Sequence, residues 1–178
     1  MKISVTALFK AISLVLLLCT YTDVPTISAK TLEISVIDIQ TQYERAKQKH
    51  KSLAKQEDCL TRNIYYEAGS EPFEGKIAVA QVTMNRVKSN QYPRTVCGVV
   101  YQKYRGVCQF SWVCENDLHA RSGPAWRESL KIAESILINK RSYNVVGSAK
   151  FFHATYVDPT WSNTKKVVRQ IGNHIFYH

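Results

Sequence analysis

Residues 59–72 read CLTRNIYYEAGSEP and predict an amphipathic helix that ends in a chain reversal. Leu60, Ile64 and Ala68 recur at the i, i+4, i+8 spacing of a single helix face. Glu67 lies on that same face, so its carboxyl group should point toward the interior. The GSEP sequence that follows ends the helix, because glycine suits a C-terminal turn and proline disfavours helical backbone in the residue before it. A carboxyl group is therefore expected among apolar side chains, beside a turn.

Three more helices are expected farther along the chain. The first covers residues 74–88, where a broad apolar surface indicates a central helix. A short helix is expected over residues 96–100. A longer one begins with Pro124 in its first turn and ends near Lys140 and Arg141, whose cations suit the C-terminal end of the helix dipole.

The C-terminal region has strand character. Residues 149–155 and 174–177 carry aromatic and β-branched side chains, and we expect them to pair as a small antiparallel sheet. With 178 residues, the chain suffices for one compact domain with a sizeable core and hardly for two. The predicted fold class is α+β, a single helix-dominated domain with a small antiparallel sheet.

The first 29 residues have the order of a secretory signal. Basic residues precede an apolar run over residues 11–18, and small residues lie before Ala29. An uncleaved membrane anchor and a lipoprotein signal at Cys19 are the alternatives, but the run is short for a spanning helix. We therefore expect export to the periplasm, the cell envelope or the extracellular space, with anchoring through the N-terminus as the alternative.

Residues 30–57 turn polar and basic and are expected to form a linker or a loosely docked arm. A surface helix between residues 40 and 58 is an alternative, although its apolar face is too thin to dock firmly. The compact domain is expected over residues 58–178.

Four cysteines remain beyond the predicted signal: Cys59, Cys97, Cys108 and Cys114. An even number in an oxidising compartment predicts two disulfides, for which three pairings are open. We favour Cys97–Cys108 with Cys59–Cys114. A Cys97–Cys108 bond would close a short loop and so hold one wall of a substrate-binding groove in place. Buried free thiols are the alternative. The spacings match no zinc site, so we expect neither a metal nor a cofactor.

The formal net charge of +10 predicts anionic partners. In an exported protein, the anionic surface of the cell envelope is a more plausible partner than nucleic acid, which we do not expect. The alternative is that the basic residues only solvate the surface. We expect a monomer.

The position of Glu67 predicts unusual acid–base chemistry. Desolvation on an apolar helix face raises the pKa of a carboxyl group, which then stays protonated near neutral pH and can act as a general acid. The alternative is a structural glutamate that is bonded to a helix N-terminus or to an arginine.

A family resemblance joins these observations. Residues 59–87, CLTRNIYYEAGSEPFEGKIAVAQVTMNRV, are similar to the opening block of SleB/CwlJ cell-wall hydrolases, the family of the spore cortex-lytic catalytic domain. Further similar blocks lie at residues 92–102, at 108–112 (CQFSW) and at 152–161 (FHATYVDPTW), so the resemblance covers nearly everything from residue 59 to 178. It implies a lysozyme-like catalytic domain over residues 58–178 that acts on peptidoglycan.

The resemblance also implies that Glu67 is the general acid and then the general base. Five carboxylates are available as a second acid, namely Glu71, Glu74, Glu115, Asp117 and Asp158, but none lies in a context that resembles a partner. A single acid suffices if the muramoyl sugar attacks its own anomeric centre. We therefore expect lytic transglycosylation between N-acetylmuramic acid and N-acetylglucosamine, with hydrolysis of the same bond or a non-catalytic peptidoglycan-binding module as alternatives.

Five residues are candidates for the glycan-binding groove. Amides and hydroxyls can bond sugar hydroxyls, and aromatic rings can cover the apolar faces of sugars. The candidates are Gln109, Ser111, His153, Tyr156 and Trp161. For His153, a hydrogen-bonded core position is an equal alternative.

Overall fold

The computed structural model describes residues 29–115 and 122–178, with side chains from residue 36 onward. The helices are α1 (Ala29–Ala68), α2 (Phe73–Lys88), α3 (Val96–Val100), α4 (Trp112–Glu115) and α5 (Gly123–Leu137), with a 3-10 helix at Thr160–Thr164. The strands are β1 (Lys103–Tyr104), β2 (Val107–Cys108), β3 (Phe151–Ala154), β4 (Val167–Ile171) and β5 (His174–Tyr177).

Helix α1 is longer than the sequence predicted. It runs for 40 residues through the stretch that we expected to be a linker or arm. No glycine or proline occurs between its ends, so nothing in its backbone interrupts the i to i−4 hydrogen bonds. Residues 1–28 of the predicted signal lie outside the described residues, and no described helix has the length and apolar character that a membrane crossing requires.

The described residues divide into two units, residues 29–45 and residues 46–178. In the first unit, the described residues belong to α1, and the side chains of residues 36–45 are exposed. The second unit contains the apolar core.

Helix α2 is the centre of this core. Ile77 and Ala80 join an apolar cluster that also contains side chains of α1, α3 and α5. Val79 and Val82 join a second cluster, whose largest member is Phe176 of β5. Because both sides of the helix are covered, α2 is the central helix that its broad apolar surface predicted.

Buried polar side chains fix the position of α2. Asn63 of α1 donates a hydrogen bond to the Thr83 hydroxyl across 3.0 Å. The Gln81 amide donates to the Gly147 carbonyl at 2.6 Å and accepts from the Val145 N–H at 2.8 Å. These bonds hold both α1 and the loop before β3 against one helix.

The C-terminal sheet has the order β3–β5–β4, and both pairs are antiparallel. Pairing of β3 with β5 confirms the predicted sheet. Strand β4 was not predicted, because four of its five residues are exposed and it lacks the alternation of a half-buried strand. A second sheet, the β1–β2 hairpin, was also not predicted.

Glu71 ties the end of α1 to the β4–β5 turn. Its carboxylate accepts hydrogen bonds from the Asn173 backbone N–H at 2.9 Å and from the Asn173 side-chain amide at 3.2 Å. Gly172 in the same turn has a φ of +56°, and a Cβ atom there would collide with the Glu71 carboxylate. Glu71 is therefore a structural residue.

The disulfides are Cys59–Cys97 and Cys108–Cys114, so the predicted pairing was wrong. Cys59 lies on α1 opposite the start of α3, and the two Cα atoms are 5.2 Å apart. The loop that we expected a Cys97–Cys108 bond to close is instead closed by the β1–β2 hairpin, where Gln109 N–H bonds the Gln102 carbonyl at 2.9 Å. Cys108 is thereby left to pair with Cys114 across a short turn.

The two disulfides should contribute unequally to stability. Their partners are separated by 38 and 6 residues, so the chain-entropy model gives about 4 and about 2 kcal/mol respectively. Cys59→Ser with Cys97→Ser should therefore lower the free energy of unfolding more than Cys108→Ser with Cys114→Ser, as measured by urea denaturation. A non-reducing peptide map checks the pairing, and a Cys97–Cys108 peptide would contradict it.

Candidate active site

The last turn of α1 positions Glu67. Its neighbours Ile64 and Ala68 are buried in the core, while Gly69 and the residues after it turn the chain toward α2. Among the described residues, no group donates a hydrogen bond to the Glu67 carboxyl. This arrangement does not match the alternative of a structural glutamate bonded to an arginine or a helix N-terminus.

Burial dominates the acid–base behaviour of Glu67. Desolvation raises the pKa of its carboxyl group from the ordinary 4.5 to about 7, while the charge of Arg86 opposes this effect and that of Glu115 adds to it. Near neutral pH, the group is therefore divided between its protonated and ionised forms. A carboxyl group in this state can both donate and accept a proton.

A cavity of about 460 Å³ opens beside Glu67. Three of the predicted groove residues, Gln109, Ser111 and Trp161, line it together with Glu67. Its remaining lining residues are Arg86, Phe110, Phe151 and Phe152.

A second cavity, of about 640 Å³, shares Glu67 and Ser111 with the first. The predicted groove residue Tyr156 lines it, and so does Glu115. Tyr66 and Trp112 also line it, and their rings stack with centroids 4.6 Å apart. Glu67 thus lies where two cavities meet, and each cavity offers aromatic and polar surface.

Backbone hydrogen bonds and a disulfide hold the segment from Gln109 to Ser111. Gln109 is bonded to Gln102, and the Ser111 carbonyl accepts from the Cys114 N–H at 2.9 Å. The Cys108–Cys114 disulfide closes this turn covalently. The side chains that face Glu67 are therefore presented by a constrained loop.

Sequence reasoning did not identify Arg86 as a site residue. Only 4% of this α2 residue is exposed, and its Nε donates to the Lys150 carbonyl at 2.8 Å. The guanidinium also lies 5.3 Å from the centre of the Phe110 ring. One signal in the sequence could have identified Arg86: it is a cation within the apolar stripe of a predicted central helix. Buried arginine is rare unless it is paired, so such a residue indicates a specific role.

His153 contacts the predicted groove residue Trp161, with ring centroids 5.6 Å apart, but its hydrogen bonds are made to other residues. Its ring nitrogens are 2.9 Å from the Ala154 carbonyl oxygen and 2.7 Å from the Tyr177 hydroxyl, and its ring stacks on that of Tyr177. It is not among the described residues that line the two cavities. This placement favours the alternative of a hydrogen-bonded core histidine.

The candidates for a second carboxylate have different surroundings. Glu74 pairs with Arg169, and Asp117 lies outside the described residues. Glu71 is engaged with Asn173, and Asp158 is exposed and lines neither cavity. Glu115 lines the second cavity beside Glu67. Only Glu115 is therefore placed to take part in the same chemistry.

Solved structures with a similar fold were found by comparison. The catalytic domain of the germination-specific lytic transglycosylase SleB from Bacillus anthracis matches with a TM-score of 0.56 and 27% identity, over 69% of this chain and 93% of that one. The catalytic domain of the Bacillus cereus SleB protein matches with a TM-score of 0.53 and 27% identity, over 70% and 91% of the two chains. This likeness confirms the predicted helix-dominated α+β class.

Sequence relatives agree with the structural ones. A spore cortex-lytic enzyme of Oceanobacillus iheyensis is 33% identical over 119 residues, which are 66% of this chain and 39% of that protein. The spore cortex-lytic enzyme of Bacillus subtilis is 29% identical over 117 residues, or 66% and 35% of the two proteins. The chain thus spans about two fifths of the length of these curated relatives.

The Cell Wall Hydrolase family model matches residues 70–177, which is more than half of the chain. Together with the likeness to the two SleB catalytic domains, this match shows that the chain is an enzyme homologue and belongs to the Cell Wall Hydrolase family.

Proposed function

We propose that this protein cleaves the glycan strands of peptidoglycan between N-acetylmuramic acid and N-acetylglucosamine, as a lytic transglycosylase in which Glu67 is the general acid and base. The observation that carries this proposal is a carboxyl group with a pKa of about 7 where two cavities meet. Likeness to a lytic transglycosylase catalytic domain supports the reaction type.

A glycan strand would occupy both cavities, with the scissile bond at Glu67. The Tyr66–Trp112 stack and Trp161 offer apolar surface to sugar faces on the two sides of that bond. Gln109 and Ser111 offer hydrogen bonds to sugar hydroxyls. Cleavage then occurs within a strand that is held on both sides.

The proton transfers balance without water. Protonated Glu67 gives its proton to the glycosidic oxygen, and the bond between that oxygen and the muramoyl C1 breaks. The resulting Glu67 carboxylate takes the proton of the muramoyl C6 hydroxyl, and the C6 oxygen forms a bond to C1. The products are a shortened strand with a free hydroxyl and a 1,6-anhydromuramoyl end, and Glu67 is again protonated.

Arg86 would support the ionised stage of this cycle. Its charge lowers the pKa of Glu67 against the effect of burial, so it stabilises the carboxylate that exists between the two proton transfers. The guanidinium is fixed by the Lys150 carbonyl and therefore needs little reorganisation.

Hydrolysis of the same bond is the second candidate, and Glu115 is the observation that favours it. This carboxylate lines the second cavity and lies near enough for its charge to raise the pKa of Glu67. A second carboxylate in such a place could activate a water molecule for attack on C1.

We also propose that the protein acts outside the cytoplasm. Two disulfides and a cell-wall substrate both support an oxidising, extracytoplasmic compartment. The formal charge of +10 supports association with anionic cell-envelope polymers.

Glu67→Gln should abolish sacculus lysis while the fold is kept. The amide has nearly the same shape but no proton to donate, and loss of general acid–base catalysis typically costs about 10²- to 10⁴-fold in rate. Release of soluble muropeptides from purified sacculi measures the loss.

A thermal melt across the pH range serves as the control for Glu67→Gln. The pKa of Glu67 is higher in the folded protein than in the unfolded chain, so the contribution of Glu67 to stability is lost as pH rises from about 4.5 through about 7. The variant lacks this penalty and should equal or exceed the wild type in stability above pH 7. A folded variant that still lyses walls would remove Glu67 from the mechanism.

The products distinguish transglycosylation from hydrolysis. Internal attack leaves 1,6-anhydromuramoyl ends, which are lighter by one water molecule than reducing ends, so mass spectrometry of the released muropeptides should show anhydro sugars. Reducing muramic acid in their place would establish water as the nucleophile. In that case Glu115→Gln should inactivate the enzyme, because Glu115 would be the base.

Arg86→Met should move the alkaline limb of the pH–activity profile to higher pH. Without the opposing cation, the pKa of Glu67 rises further, and the acid form persists to higher pH. Arg86→Lys keeps the charge and should leave the limb close to that of the wild type.

Lys76→Met is the matched control, since Lys76 is a buried cation of the same helix that pairs with Glu128 instead. If Lys76→Met shifted the limb as much as Arg86→Met, the effect would be one of stability and not of charge near Glu67.

A further inference from the structure

A third cavity, of about 430 Å³, lies against the β1–β2 hairpin. It is lined by Gln102, Tyr104, Arg105, Val107, Cys108 and Gln109. Arg105 is the only charged residue among these lining residues, and no carboxylate is present among them. The proposed glycan cleavage uses neither this cavity nor the hairpin.

The hairpin presents cationic and apolar groups together. Tyr104 and Val107 are cross-strand partners, and they are 69% and 70% exposed. Lys103 precedes Tyr104, and the Arg105 guanidinium lies 5.3 Å from the centre of the Tyr104 ring. Within residues 36–115 and 122–178, neither Lys103 nor Arg105 has an ion-pair partner. Among the described residues, the hairpin thus offers two cations without a carboxylate partner, near an exposed aromatic ring.

The turn holds Arg105 in an unfavourable backbone conformation. Its φ is +50° and that of Gly106 is +82°, as in the two-residue hairpin turns that favour Asn-Gly. An arginine in the left-handed region is uncommon, because its Cβ crowds the backbone there. The turn therefore carries a cation at a position where a smaller residue would be less strained.

Gln109 connects the hairpin to the candidate active site. It lines both this cavity and the one beside Glu67. Its N–H bonds the Gln102 carbonyl at 2.9 Å, and its neighbour Cys108 is bonded to Cys114. The two cavities are therefore neighbours that share Gln109. A ligand that fills both would contact the hairpin with one part and the surroundings of Glu67 with the other.

We propose that the hairpin cavity binds the acidic stem peptide carried by a muramoyl sugar that occupies the cavity beside Glu67. This proposal rests on the proposed function. A stem peptide is joined to the sugar through its lactyl ether, so a site for the peptide must adjoin the site for the sugar. Lys103 and Arg105 pair with the peptide carboxylates, and Tyr104 with Val107 contacts its alanine methyl groups.

Adjacency to the active site favours a stem peptide over a polyanionic wall polymer. A teichoic acid or an anionic membrane would need only an exposed basic surface anywhere on the protein. Arg105 instead lines a cavity that shares Gln109 with the cavity of Glu67, and Lys103 lies two residues before Arg105 in the same hairpin. The substrate class is therefore glycan that bears acidic peptides.

Kinetics on two soluble substrates test the proposal with the full-length protein. One substrate is a set of glycan strands with intact stem peptides, and the other is the same set after an amidase has removed the peptides. The wild type should have a lower KM on the peptide-bearing strands and a similar kcat on both. Lys103→Gln with Arg105→Gln should raise KM on peptide-bearing strands by about tenfold, because two exposed ion pairs are lost. The double variant should leave KM on bare strands unchanged.

The matched control is Lys49→Gln with Lys51→Gln, which removes two exposed cations of α1 and the same net charge. It should leave both KM values unchanged. If it raised KM as much as the hairpin variant, the hairpin would contribute only to net charge, and the proposal would be overturned.

A binding measurement separates this proposal from the proposed cleavage. Calorimetry on the Glu67→Gln protein should show tighter binding of a disaccharide–tetrapeptide than of the bare disaccharide, and the hairpin double substitution should remove the difference. Equal binding of the two ligands would overturn the stem-peptide site even if wild-type activity is normal.

A different outcome is that the hairpin double substitution weakens binding only to teichoic acid or to phosphatidylglycerol vesicles. That result would assign the hairpin to those anionic ligands and would equally overturn the proposal. Failure of the wild type to cleave either substrate would instead count against the proposed function, while calorimetry would still report on the site.

Discussion

Desolvation of the Glu67 carboxyl is the constraint on which the rest of the site depends. The group lies at the end of α1, where Ile64 and Ala68 enter the core and where α2 begins after a short turn. An ionised carboxylate there has lost water without gaining hydrogen bonds from the described residues, so its protonated form is favoured. The surrounding fold must provide the stability that this carboxyl group removes.

That stability comes from the apolar packing of α2 and from the hydrogen bonds that join α2 and the sheet to their neighbours. Apolar clusters cover α2 on both sides, and buried amides such as Asn63 and Gln81 fix its register against α1 and the loop before β3. Glu71, four residues after Glu67, binds the β4–β5 turn through Asn173. Two carboxyl groups one helical turn apart thus differ: Glu67 receives no hydrogen bond from the described residues, whereas Glu71 receives two from Asn173 in the β4–β5 turn.

The sequence predicted those parts of the fold that depend on local periodicity. Helix α2 and strands β3 and β5 follow from the apolar spacing and the residue types of their segments. The carboxyl group of Glu67 on a core face drew attention to that residue, and the family resemblance supplied its expected role. Strand β4 and the short hairpin leave little such signal, since their side chains are largely exposed. The disulfide pairing and the place of Arg86 depend on which segments meet in space, and spacing along the chain does not contain that information. His153 shows the same limit, because a hydroxyl group 24 residues away occupies one of its ring nitrogens.

The disulfide at the active-site loop differs in accessibility from the one in the core. Cys59 is buried, with 3% of its surface exposed, whereas Cys114 lies at the surface. The residues from Cys108 to Trp112 contribute walls to all three cavities. Cys97 and Cys108 are both half-buried, so the surface position of Cys114 makes the loop disulfide the easier of the two for a reductant to reach. The proposed cleavage would then depend on the oxidation state of one surface bond, since that bond closes the loop that faces Glu67.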